Sequence, residues 1–179
     1  IVVVGIAVAL MLISPELVLI FGSPKYREAV YVIPPVAASV FFIFIYNILS
    51  MPQFYYEKTQ FLMVASMAAA GANVVLNFIF IRLFGYIAAG YTTLACYMLY
   101  SVGHYIVSKR ILVNEGIQEN LMSPGFLVAC SVFLIGASII CNLIFPYRIL
   151  RYAILLASAG LVFWKKELLL KTMADIRKK

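Results

Sequence analysis

Charged residues are scarce in this sequence: Asp, Glu, Lys and Arg make up 12% of its 179 positions, whereas 65% are hydrophobic. A soluble domain needs charge to cover its surface, typically about a quarter of its residues. Here the apolar side chains exceed any core that a chain of this length encloses, so the surplus is expected to face lipid. The composition therefore predicts an all-α, polytopic transmembrane helical bundle without a soluble domain.

Residues that carry catalytic or metal chemistry are also few. The chain has one His, and its three cysteines (Cys96, Cys130 and Cys141) lie in apolar stretches without metal-ligand spacing. It lacks a Gly-rich nucleotide loop, and no loop is long enough to assemble a Ser/His/Asp, Cys/His or paired-carboxylate site. We therefore expect no enzyme, no cofactor and no metal.

The net charge of +7 does not indicate nucleic-acid binding, because the basic residues lie between apolar segments and at the C-terminus rather than on one soluble face. Lys and Arg number nine on the side that includes the C-terminus and five on the other. This asymmetry predicts that the C-terminus is cytoplasmic. The basic tail, residues 165–179, is expected to be a solvated anchor there, or alternatively to lie on the membrane surface.

The apolar runs define the predicted helices, since a membrane-spanning helix needs about 20 apolar residues. Six stretches qualify and together form a predicted lobe over residues 1–164. The spans are predicted at about 1–21, 29–50, 61–81, 87–108, 125–145 and 149–164. Pro34 and Pro35 predict a bend early in the second span. Because the chain begins within an apolar run that does not read as a signal peptide, we interpret it as the C-terminal part of a longer protein.

The fourth predicted span carries a stripe of polar side chains. Thr93, Tyr97, Tyr100 and His104 recur at spacings of four, three and four, so they share one helix face. Such a face suits a hydrated path that contacts a sugar. The alternatives are hydrogen bonding between helices with an aromatic belt at the interface and, for His104, a proton relay.

The third predicted span carries two amides, Asn73 and Asn77, one helical turn apart. Paired amides suit the lining of a lumen or the attachment of a neighbouring helix. The small residues over 65–72 favour close helix packing at this place. Both interpretations remain open from the sequence.

Residues 17 to about 109 resemble the C-terminal region of bacterial polysaccharide flippases, which belong to the multidrug/oligosaccharidyl-lipid/polysaccharide transporter superfamily. Three segments carry the resemblance in order: PELVLIFGSPKYREAV, QFYYEKTQFL and NVVLNFIFIRLFGYIAAGYTTL. The matching positions are Phe21, Gly22 and Tyr26, then Lys58 and Thr59, then Asn73, Asn77, Gly85, Ala88, Ala89 and Gly90. Two positions depart from the pattern: Glu57 stands where the family usually has Gly, and Arg82 stands near a frequent Pro.

The resemblance implies that this chain is the second lobe of a two-lobe transporter that works by alternating access around a central hydrated cavity. The partners would be the lipid bilayer, the missing N-terminal lobe and an undecaprenyl-pyrophosphate-linked oligosaccharide that is flipped across the bacterial cytoplasmic (inner) membrane. The loops that contain Phe-Gly would be external and the Lys-Thr turn internal, in agreement with the charge count. The candidate contacts for the pyrophosphate are Lys58, Arg82, Lys109 and Arg110.

Three other functions stay open. A multidrug or small-cation exporter of the same superfamily would need an acid within the membrane, for which only Glu16 is a candidate. A membrane-embedded glycan polymerase or ligase would need a large external loop with catalytic Arg or His. A purely structural bundle would leave the polar stripes to helix packing alone.

Overall fold

A computed structural model describes residues 2–117 and 121–164, so the predicted basic tail lies outside the described residues. This part of the chain is helical and contains no β-strand. Its α-helices are α1 (Val2–Phe21), α2 (Ile33–Tyr55), α3 (Gln60–Phe84), α4 (Ala88–Asn114), α5 (Pro124–Ile144) and α6 (Arg148–Trp164). A 3₁₀ helix at Pro24–Tyr31 connects α1 to α2. The all-α prediction is confirmed for the described residues.

Four of these helices, α1, α2, α3 and α5, are long and apolar enough to cross a membrane. Helix α4 has 27 residues, but its hydroxyl, imidazole and basic side chains lower its hydropathy. Helix α6 has 17 residues and is shorter than a typical span. The six predicted segments are therefore all helical near the predicted positions, whereas length and composition support membrane crossing for four of them.

The start of α2 differs from the prediction. Residues before Ile33 form the 3₁₀ helix, so the second span begins later than residue 29. Pro34 and Pro35 consequently lie in the first turn of α2. A proline is well tolerated there, because the first backbone N–H groups of a helix have no partner within it. The two prolines start the helix and do not bend its interior, so the predicted bend is wrong.

Residues up to Asn142 form one compact unit with α2 in its middle, and a second unit begins at Leu143 and contains α6. Within the first unit α2 packs against α1 and most extensively against α4, which also contacts α3. The α2–α4 contact is close because Gly90 faces α2: a Cβ at this position would lie 2.8 Å from Pro35 Cγ and 2.9 Å from the Val32 carbonyl oxygen. A small residue is what such an approach of two helices requires.

Short turns join α2 to α3 and α3 to α4. Gly85 ends α3 with a φ of 77°, a conformation that favours glycine. The Tyr86 hydroxyl, directly after it, donates a hydrogen bond to Glu28 Oε2 at 3.0 Å. Desolvation, and then this carboxylate, raise the pKa of Tyr86 above its ordinary value. Glu57, in the turn between α2 and α3, also has a positive φ of 55°.

Gly90→Ala is expected to destabilise the protein by about 1–3 kcal/mol, because the added methyl group overpacks the α2–α4 contact. The matched control is Gly71→Ala in α3, where a Cβ would meet no atom within 4 Å. That substitution is expected to be neutral or to stabilise the helix by up to about 1 kcal/mol. Thermal unfolding of the detergent-solubilised protein measures both. Equal midpoints for the two variants would contradict the close packing at Gly90.

Candidate functional site: a polar cleft between α2, α3 and α4

Helices α2, α3 and α4 enclose a cleft of about 440 Å³, here called the polar cleft. It is lined by Tyr46 of α2, by Ser66, Ala69, Ala70, Asn73 and Val74 of α3, and by Thr93, Cys96, Tyr97 and Tyr100 of α4. The alanines of α3 leave the space that larger side chains would fill. The hydroxyl and amide groups come from three different helices and converge on this one space.

Three tyrosines form one wall of the polar cleft. The rings of Tyr46 and Tyr97 are stacked, with centroids 6.4 Å apart and planes 7° apart. The ring of Tyr100 meets Tyr46 edge-on, with the centroids at 4.7 Å and an interplanar angle of 60°. A tyrosine supplies an apolar face and a hydroxyl that donates and accepts hydrogen bonds. This wall therefore offers flat aromatic surface next to polar groups.

The opposite wall contains Asn73, which the sequence analysis paired with Asn77. Asn77 Nδ2 donates to Asn73 Oδ1 at 2.9 Å, and the Thr92 hydroxyl donates to Asn77 Oδ1. Asn73 Nδ2 lies 3.5 Å from Thr93 Oγ1, a weak contact across the cleft. Asn77 thus connects α3 to α4 and does not line the cleft, whereas Asn73 does. The two amides have separate roles: one attaches a neighbouring helix and one faces the open space.

His104 shares its helix face with Thr93, Tyr97 and Tyr100, but it does not line the polar cleft. Its side chain is fully buried, as is that of Gln53 at the C-terminal end of α2. Gln53 Nε2 lies 2.8 Å from His104 Nδ1 and 3.0 Å from Ser108 Oγ. The Ser108 hydroxyl in turn donates to the Leu49 carbonyl oxygen. These side chains form a buried polar network between α2 and α4.

The network determines the tautomer of His104. The Leu49 carbonyl oxygen can only accept a hydrogen bond, so the Ser108 hydroxyl donates its hydrogen to that oxygen. The Ser108 oxygen then accepts a hydrogen bond from Gln53. The Gln53 amide nitrogen must then face Ser108, and its second hydrogen points to His104 Nδ1. His104 Nδ1 accepts this bond, which places the imidazole proton on Nε2.

The other atoms of this pair lie among apolar surroundings. Neither His104 Nε2 nor Gln53 Oε1 has a hydrogen-bond partner in the described chain. The imidazole is enclosed by rings: Tyr100 at 4.5 Å and 90°, Phe61 at 5.4 Å and 77°, and Tyr46 at 5.8 Å. His104 therefore packs behind the tyrosine wall and holds two of its rings in place. In this arrangement His104 supports the tyrosine rings of the cleft and does not contact a ligand in it.

Periodicity in α4 and α3 thus identified four residues of the polar cleft: Asn73, Thr93, Tyr97 and Tyr100. Ser66 lies seven residues before Asn73 on the same face of α3, so helical periodicity includes it as well, although it was not among the predicted site residues. Tyr46 was missed as a site residue because it lies on a different helix from the stripe that it faces. Gln53 was missed because it lies beyond the predicted end of the second span, where α2 in fact continues to Tyr55.

The four predicted anion contacts do not line the polar cleft. Lys58 Nζ forms an exposed ion pair with Glu115 Oε1 at 3.1 Å, which joins the α2–α3 turn to the end of α4. The Arg82 guanidinium lies 3.8 Å from the centre of the Phe78 ring. Lys109 and Arg110 line a different pocket at the C-terminal end of α4.

Comparisons with protein-family profiles, with curated proteins and with solved structures found no match for this chain. Function is therefore argued from the polar cleft, from the apolar helices that surround it and from the sequence pattern.

Gln53→Leu is expected to destabilise the protein by about 1–3 kcal/mol, because it leaves His104 Nδ1 buried without a donor. The double variant Gln53→Leu/His104→Phe is expected to recover part of this loss, since both partners are then apolar. The control is Asn47→Leu, an exposed amide of α2 that bonds only to its own helix in the described chain. Thermal unfolding in detergent is the measurement. A double variant that loses as much stability as the Gln53→Leu and His104→Phe single variants lose together would contradict the pairing of Gln53 with His104.

Proposed function

We propose that this chain is the C-terminal lobe of a membrane transporter that moves undecaprenyl-pyrophosphate-linked oligosaccharide, such as the repeat unit of O-antigen, capsule or exopolysaccharide, across the bacterial cytoplasmic membrane. The observation that carries the proposal is the polar cleft. It places hydroxyl, amide and aromatic groups together among helices that are otherwise apolar. Polar groups within a membrane protein are costly unless they have a partner, and groups from three helices that face one open space can bind a polar substrate there.

The chemistry of the polar cleft suits a saccharide. A sugar presents hydroxyl groups that need hydrogen-bond partners and C–H faces that pack on aromatic rings. Tyr97, Tyr100, Thr93 and Asn73 offer the first, and the stacked tyrosine rings offer the second. Ser66 also lines the cleft, but its hydroxyl donates to the Met63 carbonyl oxygen of its own helix. Because sugar hydroxyls both donate and accept, hydroxyl and amide side chains serve a range of glycans.

The turn between α2 and α3 adds support from the resemblance to polysaccharide flippases. Glu57 has a φ of 55°, a backbone conformation for which glycine is the usual residue. Glycine is also what the flippases that this sequence resembles usually have before the Lys-Thr pair, here Lys58 and Thr59. A positive φ at this position is consistent with that pattern, although the side chain differs.

Alternating access would use this lobe together with the N-terminal lobe that the chain lacks. In such transporters the site lies near the bilayer midplane, between two halves that rock against each other. We assign the Lys58 turn and the C-terminus to the cytoplasmic side, as the distribution of Lys and Arg indicates. All six helices would then cross the membrane, with the polar stripe of α4 shielded from lipid by α2 and α3.

The alternative functions fit the described residues less well. An exporter of cationic drugs would need a carboxylate at the site, and no acidic residue lines the polar cleft. Glu16, the candidate acid, belongs to α1. A purely structural bundle gives no reason for hydroxyl, amide and aromatic groups of three helices to line one cleft.

Deletion of the gene in its host tests the activity directly. We expect lipid-linked saccharide to accumulate on the cytoplasmic leaflet and surface polymer to be lost, with both restored by the intact gene. Normal surface polymer together with altered drug sensitivity would exclude the flippase and favour the exporter.

The double variant Tyr97→Phe/Tyr100→Phe is expected to lower surface-polymer export roughly five- to thirty-fold, because it removes two hydrogen-bonding groups and keeps both rings. The control is Tyr91→Phe, which removes a hydroxyl from the same helix outside the cleft. Quantification of surface polymer in the complemented deletion strain, at equal protein level, is the measurement. Equal export by the two variants would contradict a substrate path through the polar cleft.

The pyrophosphate needs cations that this cleft does not supply, so we propose contacts with basic residues near the two ends of α3 or with the N-terminal lobe. Lys58→Gln tests the end at the α2–α3 turn, and Arg82→Gln tests the end of α3 near Gly85. Because each removes a positive charge from an exposed position, we expect weaker capture of the anionic substrate and reduced export. Unchanged export in both single variants would remove these residues from the substrate path.

A further inference from the structure

A second cleft lies between α2, α4 and α5 and has a volume of about 400 Å³; it is called here the apolar cleft. Its walls include Phe41 and Ile45 of α2, Val102 and Tyr105 of α4, and Val128 and Val132 of α5. It occupies a different face of α4 from the polar cleft, because Met98, Val102 and Tyr105 point away from the Thr93–Tyr100 stripe. Helix α5 makes few close backbone contacts with α2 and α4, from which this cleft separates it.

The apolar cleft offers almost no hydrogen bonds to a ligand. Its two serines donate to carbonyl oxygens of their own helices: Ser131 to Leu127 at 2.7 Å and Ser101 to Met98 at 2.9 Å. The remaining walls are aliphatic or aromatic. Residues 124 to 135 of α5 line it over roughly 16 Å, at about 1.5 Å of rise per residue. This length and polarity suit a hydrocarbon chain.

One end of the apolar cleft meets a basic pocket of about 520 Å³ at the C-terminal end of α4. Tyr105 lines both spaces, and the basic pocket also contains Lys109, Arg110 and Asn114. None of its lining residues in the described chain is acidic. The nearby carboxylate of Glu115 pairs instead with Lys58. The two cations are therefore left for an anion that lies beside the apolar cleft.

Tyr105 is the residue that the two spaces share. Along α4 the apolar wall formed by Met98 and Val102 comes first, then Tyr105, then the cations Lys109 and Arg110. An anionic phospholipid has the matching order of acyl chain and phosphate.

We propose that these spaces together form a binding site for one anionic phospholipid, with an acyl chain in the apolar cleft and its phosphate at Lys109 and Arg110. The lipid would fill the gap between α5 and the α2–α4 pair. Because the site is on a different face of α4 from the polar cleft, we assign these two cations to a resident lipid and not to the transported substrate. The proposal does not depend on the transport activity.

Native mass spectrometry of the full-length protein in mixed micelles tests the charge requirement. We expect phosphatidylglycerol to be retained in preference to phosphatidylcholine with the same acyl chains. Lys109→Ala/Arg110→Ala is expected to weaken this retention on the order of tenfold to thirtyfold, since each basic residue near a membrane surface contributes to the attraction of anionic lipid. The control, Lys25→Ala/Arg27→Ala, removes two exposed charges elsewhere and should retain the lipid.

A second pair of variants tests the apolar cleft. Val102→Trp adds a large ring at its wall and should displace the acyl chain, whereas Leu99→Trp places the same ring on an exposed position outside the cleft. Thermal unfolding of each variant verifies its fold. In the unaltered protein, phosphatidylglycerol with a photoreactive acyl chain should label α5 near Val128 and Val132.

Three results would overturn the proposal. Equal retention of the two phospholipids would exclude selection by charge. Phosphatidylglycerol that is retained in both the Lys109→Ala/Arg110→Ala variant and the Val102→Trp variant, or whose photoreactive acyl chain does not label α5, would be bound elsewhere. Displacement of phosphatidylglycerol by a polyprenyl pyrophosphate at the same residues would assign the site to the substrate. Loss of export in the Tyr97→Phe/Tyr100→Phe variant bears on the polar cleft alone, so the two proposals fail independently.

Discussion

Gly90 brings α4 so close to α2 that a methyl group there would lie 2.8 Å from the Pro35 ring. Because these helices touch, Gln53 of α2 reaches His104 and Ser108 of α4, and Tyr46 stacks on Tyr97. Walls of both clefts are therefore built on the same pair of helices. On one face the pair meets α3 across a polar space, and on another it meets α5 across an apolar one.

Polar side chains in these helices fall into two groups. Many serines are satisfied locally: Ser14, Ser39 and Ser50 each donate to a carbonyl oxygen three residues earlier. Such hydroxyls need no ligand, so a serine in an apolar helix indicates little about function. The groups that remain available are concentrated in the polar cleft, where tyrosine rings and Asn73 face an open space. That contrast, and not the number of polar residues, supports a substrate path.

Composition and hydropathy predicted the helices well, because an apolar run of about 20 residues between polar connections is long enough to form one membrane-spanning helix. Helical periodicity also predicted that Thr93, Tyr97 and Tyr100 lie together, since spacing fixes which residues share a face. It could not identify the facing residue Tyr46, because that depends on which helices pack together. His104 shows the same limit: it shares the stripe, but the rings of Tyr46 and Tyr100 pack against it, and Gln53 of α2 binds its Nδ1.

Crosslinking in cells tests whether the polar cleft contacts the saccharide. A photoreactive residue replaces Ala70, which lines this cleft, and the same residue at exposed Leu99 is the comparison. In cells that make lipid-linked oligosaccharide, we expect position 70 to capture the glycan and position 99 not to capture it. Equal capture at both positions, or none at position 70, would contradict it.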